Sequence, residues 1–147
     1  MIVGIGTDIV SIDRIAAVLK RHGERFVNRI LTPEERARYQ RTNERARPGH
    51  FAKRWAAKEA FAKAIGTGIH PPFTWQSITV GRDAMGKPLV IPDEKMAQHL
   101  KSLGVTDSHI SLTDDAGVAV AFVVLESFTP QVSDPAGASQ PRRLTPP

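Results

Sequence analysis

The chain has 147 residues, no cysteine and a formal net charge of +5. That length suits about one domain with a real hydrophobic core, no apolar run approaches a membrane span, and the missing cysteines exclude a disulfide scaffold or thiolate metal site. The basic excess is uneven: residues 11–54 hold twelve Lys or Arg against five Asp or Glu, a patch that attracts polyanions of any class or merely solvates helices. The opening Met1-Ile2-Val3-Gly4-Ile5 has no basic n-region and no long apolar h-region, so no secretory signal is expected, and a soluble cytoplasmic protein follows.

Ile2 to Val10 is β-branched and contains two glycines, which fits a buried strand approached closely by another backbone or a ligand. Ser11 stands where an N-cap belongs, and Ile12, Ile15, Ala16 and Leu19 follow at helical spacing, predicting a helix over residues 12–21. Thr32-Pro33-Glu34-Glu35 is a capping box with proline at the first helical position, starting a short polar helix to about Gln40. After a break at Pro48-Gly49, residues 50–65 are rich in Ala, Lys and Glu and stop at Gly66-Thr67-Gly68, predicting the central helix. Residues 74–80 and 89–91 read as strands of a hairpin, residues 94–103 as an amphipathic helix, and residues 109–113 and 118–125 as strands around the turn Asp114-Asp115-Ala116-Gly117. The predicted class is α+β, an antiparallel sheet packed on a long central helix in one compact domain over residues 1–127. Residues 128–147 turn to Pro, Ser, Gln and Gly and are expected to form a disordered tail. No internal repeat suggests a solenoid.

The chemistry concentrates in Trp55-Ala56-Ala57-Lys58-Glu59-Ala60-Phe61-Ala62-Lys63. On a helix, Glu59 and Lys63 share a face with Ala52 and Ala56, whose small side chains leave space beside the charges. A lone Glu–Lys pair at this spacing is ordinarily a surface feature worth about 0.3–0.5 kcal/mol. That reading weakens here because Arg54 and Lys58 fall toward the apolar arc. Asp8 ends the run Gly4-Ile5-Gly6-Thr7-Asp8. An aspartate there is commonly a turn or cap residue, but two carboxylates meeting beside a lysine suit Mg²⁺ bound with a phosphorylated ligand. The two glycines lack the third of a dinucleotide fingerprint and the lysine of a P-loop, which excludes both.

Together these segments resemble the holo-acyl-carrier-protein synthase family, the small trimeric type of 4′-phosphopantetheinyl transferase. The resemblance rests on Ile5-Gly6-Thr7-Asp8-Ile9-Val10 with Arg14-Ile15, on the run from Phe51 to Ala64 with Gly66-Thr67-Gly68-Ile69, and on Gly86-Lys87-Pro88 and His109-Ile110-Ser111-Leu112. It spans residues 2 to 127, with the motifs in one order.

The resemblance implies transfer of the 4′-phosphopantetheine arm of coenzyme A to a serine of an apo acyl carrier protein, releasing adenosine 3′,5′-bisphosphate, in fatty-acid or polyketide biosynthesis. By position, Asp8 and Glu59 would hold Mg²⁺ and Lys63 would contact the pyrophosphate. The base that takes the serine proton would be Glu59 or a water held beside Asp8, with Glu59 the assignment adopted. Arg54, Gly66, Lys87 and Pro88 would contact coenzyme A, and His109 would reach the nucleotide from a neighbouring subunit, since family sites lie between chains of a homotrimer. Arg14, Arg21, Arg25 and Phe26 would dock the acidic carrier protein. Asp114 and Val118 depart from the family pattern, where a histidine and an aromatic residue are common, so no role of those groups transfers. The competing reading is a basic RNA-binding module. It is disfavoured because only nine Phe, Trp and Tyr are scattered through the chain, whereas RNA platforms cluster aromatics for base stacking. Neither nucleic acid nor a membrane is therefore an expected partner.

Overall fold

The computed structural model of the chain describes residues 1–128. Apart from Phe128, the expected tail lies outside the described residues. Among these, no helix is long and apolar enough to cross a membrane.

Strand β1, Ile2–Ser11, forms one edge of an antiparallel sheet ordered β1-β5-β4. Its even-numbered residues face inward, where Gly6 and Val10 are buried, while Ile5 and Ile9 point outward. A β-carbon on Gly4 or Gly6 would collide with the carbonyl oxygens of Ala64 and Ala60, so the two glycines let the strand lie directly against the central helix. Helix α1, Ile12–Ile30, starts at the Ser11 cap, whose hydroxyl accepts from the Arg14 amide at 3.2 Å. It runs nine residues past the expected end. The polar run Lys20 to Arg25 hides the continuation, but Val27 and Ile30 are buried, and Gly23, at φ 55° and ψ −139°, supplies the kink that turns them onto the core.

Helix α2, Pro33–Arg41, carries the full capping box: the Thr32 amide donates to Glu35 Oε2 at 2.8 Å and the Glu35 amide to Thr32 Oγ1 at 3.5 Å. A 3₁₀ turn, Glu44–Ala46, leads into α3, Arg47–Ala64. The central helix therefore starts three residues before the expected point. Pro48 sits in its first turn, where the missing N–H costs nothing. Its end agrees with expectation, with Ile65 as C-cap and Gly66 at φ 81°.

The β2–β3 hairpin, Ile78–Arg82 and Pro88–Pro92, is a separate two-stranded sheet. Its first strand begins four residues later than predicted, because Thr74 and Ser77 bond to each other in a turn: the Ser77 amide donates to the Thr74 carbonyl at 3.0 Å, and the Thr74 amide to Ser77 Oγ at 2.9 Å. Such local side-chain bonds compete with a ladder. Helix α4, Glu94–Ser102, is capped by Asp93 and buries Met96 and Leu100, whereas Ala97 and Leu103 stay exposed. Strands β4, Asp107–Asp115, and β5, Val118–Glu126, pair through Asp115 and Val118. Asp114 and Asp115 thus belong to the strand, and Ala116-Gly117 alone makes the turn. The core lies between α3 and the inward residues Ala119, Ala121, Val123 and Leu125 of β5.

Candidate active site

Asp8 faces α3 because it shares the inward parity of Gly6 and Val10 on β1. The close approach that the glycines permit brings it to the last turns of that helix. Lys63 Nζ donates to Asp8 Oδ1 and to the Thr7 carbonyl, both at 2.9 Å. Glu59, one turn earlier, lines with Asp8 a cavity of about 450 Å³ whose walls include Arg14, Ile15, Phe26 and Trp55. Partial burial pushes the Glu59 carboxyl above the ordinary glutamate value. The negative charge of Asp8 adds to this, and the Lys63 ammonium opposes it.

A second depression of about 480 Å³ continues along α1, lined by Val18, His22, Arg25, Phe26 and Arg29. Phe26 borders both hollows. Of the expected docking set, Arg14 and Phe26 thus edge the acidic cavity, Arg25 and Phe26 line the neighbouring hollow, and Arg21 is exposed on the same helix without lining either. His22 and Arg29 were missed because the predicted helix stopped at residue 21, and Val18, inside it, has no charge to mark it as a docking residue. Extending the helical period through Phe26 would have found Arg29. The Trp55 ring, 4.5 Å from Trp75 and 5.7 Å from Phe26 between centroids, packs against the core and forms a wall of the cavity.

Among the described residues, no group of three or more His, Asp or Glu side chains suited to a metal ion comes together. Two carboxylates do, and their mutual repulsion is the imbalance a divalent cation relieves. A hard cation with two protein carboxylates and substrate phosphate oxygens is a normal Mg²⁺ arrangement. The donor set fits that ion.

A family model described as the 4′-phosphopantetheinyl transferase superfamily matches residues 4–123. The chain belongs to this superfamily. It is 47% identical over 131 residues to a holo-[acyl-carrier-protein] synthase of Thiobacillus denitrificans, covering 89% of this chain and 98% of that one. The crystal structure of the Neisseria meningitidis holo-[acyl-carrier-protein] synthase superposes with a TM-score of 0.82 at 42% identity, covering 86% of this chain and all of that one. The Bacillus anthracis synthase in complex with CoA (3′,5′-ADP) superposes at 0.73 with 38% identity, covering 87% and 99%.

In this transferase the remaining expected ligand contacts do not gather at the acidic cavity within one chain. Arg54 lies away from the cavity: it is 3% exposed, it donates to the His50 carbonyl at 3.3 Å, and burial lowers its pKa to about 10 against the opposing charge of Glu35. It points into the core because α3 buries that face against α2 and β2. Gly66 follows α3, and Lys87 and Pro88 lie on the β2–β3 hairpin. His109 pairs with Val124, whose partner on β1 is Ile5, so it occupies the outer face of the sheet, opposite Asp8. There its Nε2 lies 2.9 Å from Glu126 Oε2.

Proposed function

We infer that the chain is a holo-[acyl-carrier-protein] synthase, transferring 4′-phosphopantetheine from coenzyme A to a serine of an apo acyl carrier protein and releasing adenosine 3′,5′-bisphosphate. The observation that carries the reading is the single cavity lined by Asp8 and Glu59, beside the Asp8–Lys63 pair and a basic helix face.

The serine oxygen attacks the phosphorus that carries the pantetheine arm. That bond forms as the linkage to the nucleotide phosphate breaks, and the serine proton passes to a base. Glu59 takes this role, as the carboxylate that lines the cavity beside Asp8. Lys63, oriented by Asp8 and the Thr7 carbonyl, presents a cation to the charge gathering on the departing phosphate. Asp8 and Glu59 would hold Mg²⁺, which when bound neutralises the diphosphate and aligns the in-line displacement. Arg14, Arg21 and Arg25 steer an acidic carrier, and Phe26 gives it an apolar anchor.

Gly66, Lys87, Pro88 and His109 complete the coenzyme A site in a homotrimer. The apolar outer face of the sheet, with Ile5, Ile9 and Phe122 at 54, 65 and 44% exposure, supports assembly there, and that face would offer His109 to a neighbouring copy. A cytoplasmic place in fatty-acid or polyketide synthesis fits a chain without cysteine.

Incubation with coenzyme A, Mg²⁺ and apo carrier, followed by mass spectrometry of the carrier, tests the reading. Gain of the phosphopantetheine mass is expected. Glu59→Gln should keep the fold and lower turnover by about 10²–10⁴-fold. An unmodified carrier refutes the activity, and undiminished Glu59→Gln turnover refutes the base.

A further inference from the structure

The residue before Glu59 is a lysine with no exposure at all. Lys58 Nζ donates to Glu35 Oε2 at 2.8 Å, to the Ile30 carbonyl at 2.8 Å and to the Trp75 carbonyl at 2.6 Å, which uses all three of its donors. Glu35 in turn accepts from the Thr32 and Val80 amides, each at 2.8 Å. Ile30 is the last residue of α1, so its carbonyl has no partner within the helix. The neighbouring carbonyls are held as well: Gln76 Nε2 lies 3.2, 3.1 and 3.0 Å from those of Asn28, Arg29 and Leu31. Trp75, gripped by Lys58 through its backbone, stacks on Trp55, and Trp55 packs on Phe26 of α1. The contacts close a ring from the end of α1 through Lys58, Trp75 and Trp55 back to α1, with Glu59 beside it.

Apolar packing alone would fill this space and is often as stable as a buried ion pair. An ammonium held by three acceptors does something packing does not. It sets both the rotation of α3 and its position along the axis relative to the end of α1.

We propose that Lys58 and Gln76 are positioning residues, which hold the carrier-docking end of α1 in register with the turn of α3 that bears Glu59. This rests on the roles given above to Glu59 and to the face of α1. Carrier transfer by the wild type, lost in Glu59→Gln, is therefore the control. Its absence overturns those roles and this proposal together.

The test is the paired variant Glu35→Gln/Lys58→Met, which removes both charges and leaves no buried ion alone, alongside Gln76→Ala at an exposed side chain. The paired variant should melt within a few degrees of wild type. Its kcat should fall by at least about tenfold, because ångström-scale misplacement of a reacting group costs up to 10²-fold, and half-saturation by Mg²⁺ should move to higher concentration. Gln76→Ala should raise the carrier KM several-fold and leave the coenzyme A KM unchanged. Wild-type kcat and Mg²⁺ dependence in a folded paired variant overturn the proposal for Lys58. Should that variant fail to fold, a wild-type carrier KM in Gln76→Ala overturns it.

Discussion

Gly6 shows how one hydrogen in place of a side chain sets how closely a strand can approach a helix. Its missing β-carbon leaves room for the Ala60 carbonyl and the Ala64 amide of α3, and Asp8 stands two residues further along the same strand. Gly6→Ala forces backbone against backbone, so it should cost about 1–3 kcal/mol as overpacking does, and it should reduce turnover by lifting Asp8 away from Glu59. Thermal melting and the transfer assay read the two effects, and an unchanged melting temperature would contradict the close approach. His50 has a different consequence. Burial, followed by the charges of Arg54, Lys53, Arg82 and Arg38, lowers its pKa to about 4, and its buried Nε2 has no partner among the described residues. Between that value and about 6.5 the unfolded chain binds the proton better, so stability is complete above the upper value and declines as pH falls through this window. Urea unfolding at pH 7 and pH 4.5 should show a larger loss for wild type than for His50→Gln.

At the level of elements, local rules and packing divide the outcome. The Ser11 cap of α1, the capping box at Thr32 and the glycine stop after α3 all appear where the sequence indicates, because each is closed by groups within a few residues. The errors occur where distant contacts decide. α1 passes through a polar run because Val27 and Ile30 find the core beyond it, and β2 is shortened by the Thr74–Ser77 turn. The β4–β5 connection is tighter than predicted. Ala116 and Gly117 form a two-residue turn at φ 48° and 78°, a conformation that favours Asn-Gly. Ala116→Asn should therefore raise stability by up to about 1 kcal/mol, roughly the cost of an alanine in the left-handed region. Differential scanning calorimetry would register it as a higher melting temperature, and a lower one would count against this turn geometry.

For the whole molecule, the two faces of the three-stranded sheet have different fates. The inner face is covered by α3, whereas the outer face leaves Ile5, Ile9 and Phe122 open with His109 among the strands. If this face joins subunits, a charge at its centre should separate them. Phe122→Glu should lower the mass measured by light scattering from that of a trimer to that of a monomer. Its turnover should fall too, as His109 loses its place in a neighbouring site. A trimeric, active Phe122→Glu protein would show that the face serves another purpose.

The sequence alone determined the α+β class, the central helix and the candidate trio Asp8, Glu59 and Lys63. Helical and strand periods place side chains on faces, and charges on a small-residue face are legible without coordinates. Only tertiary structure decided which charges gather at the acidic cavity and which are buried in the frame. Lys58 and Arg54 have the same residue types as Lys63 and Arg14, yet the first two are buried, whereas Lys63 bonds to Asp8 and Arg14 lines the acidic cavity. That division depends on what α2, β2 and the end of α1 present to each side of α3, and contacts between segments tens of residues apart leave no local pattern to read.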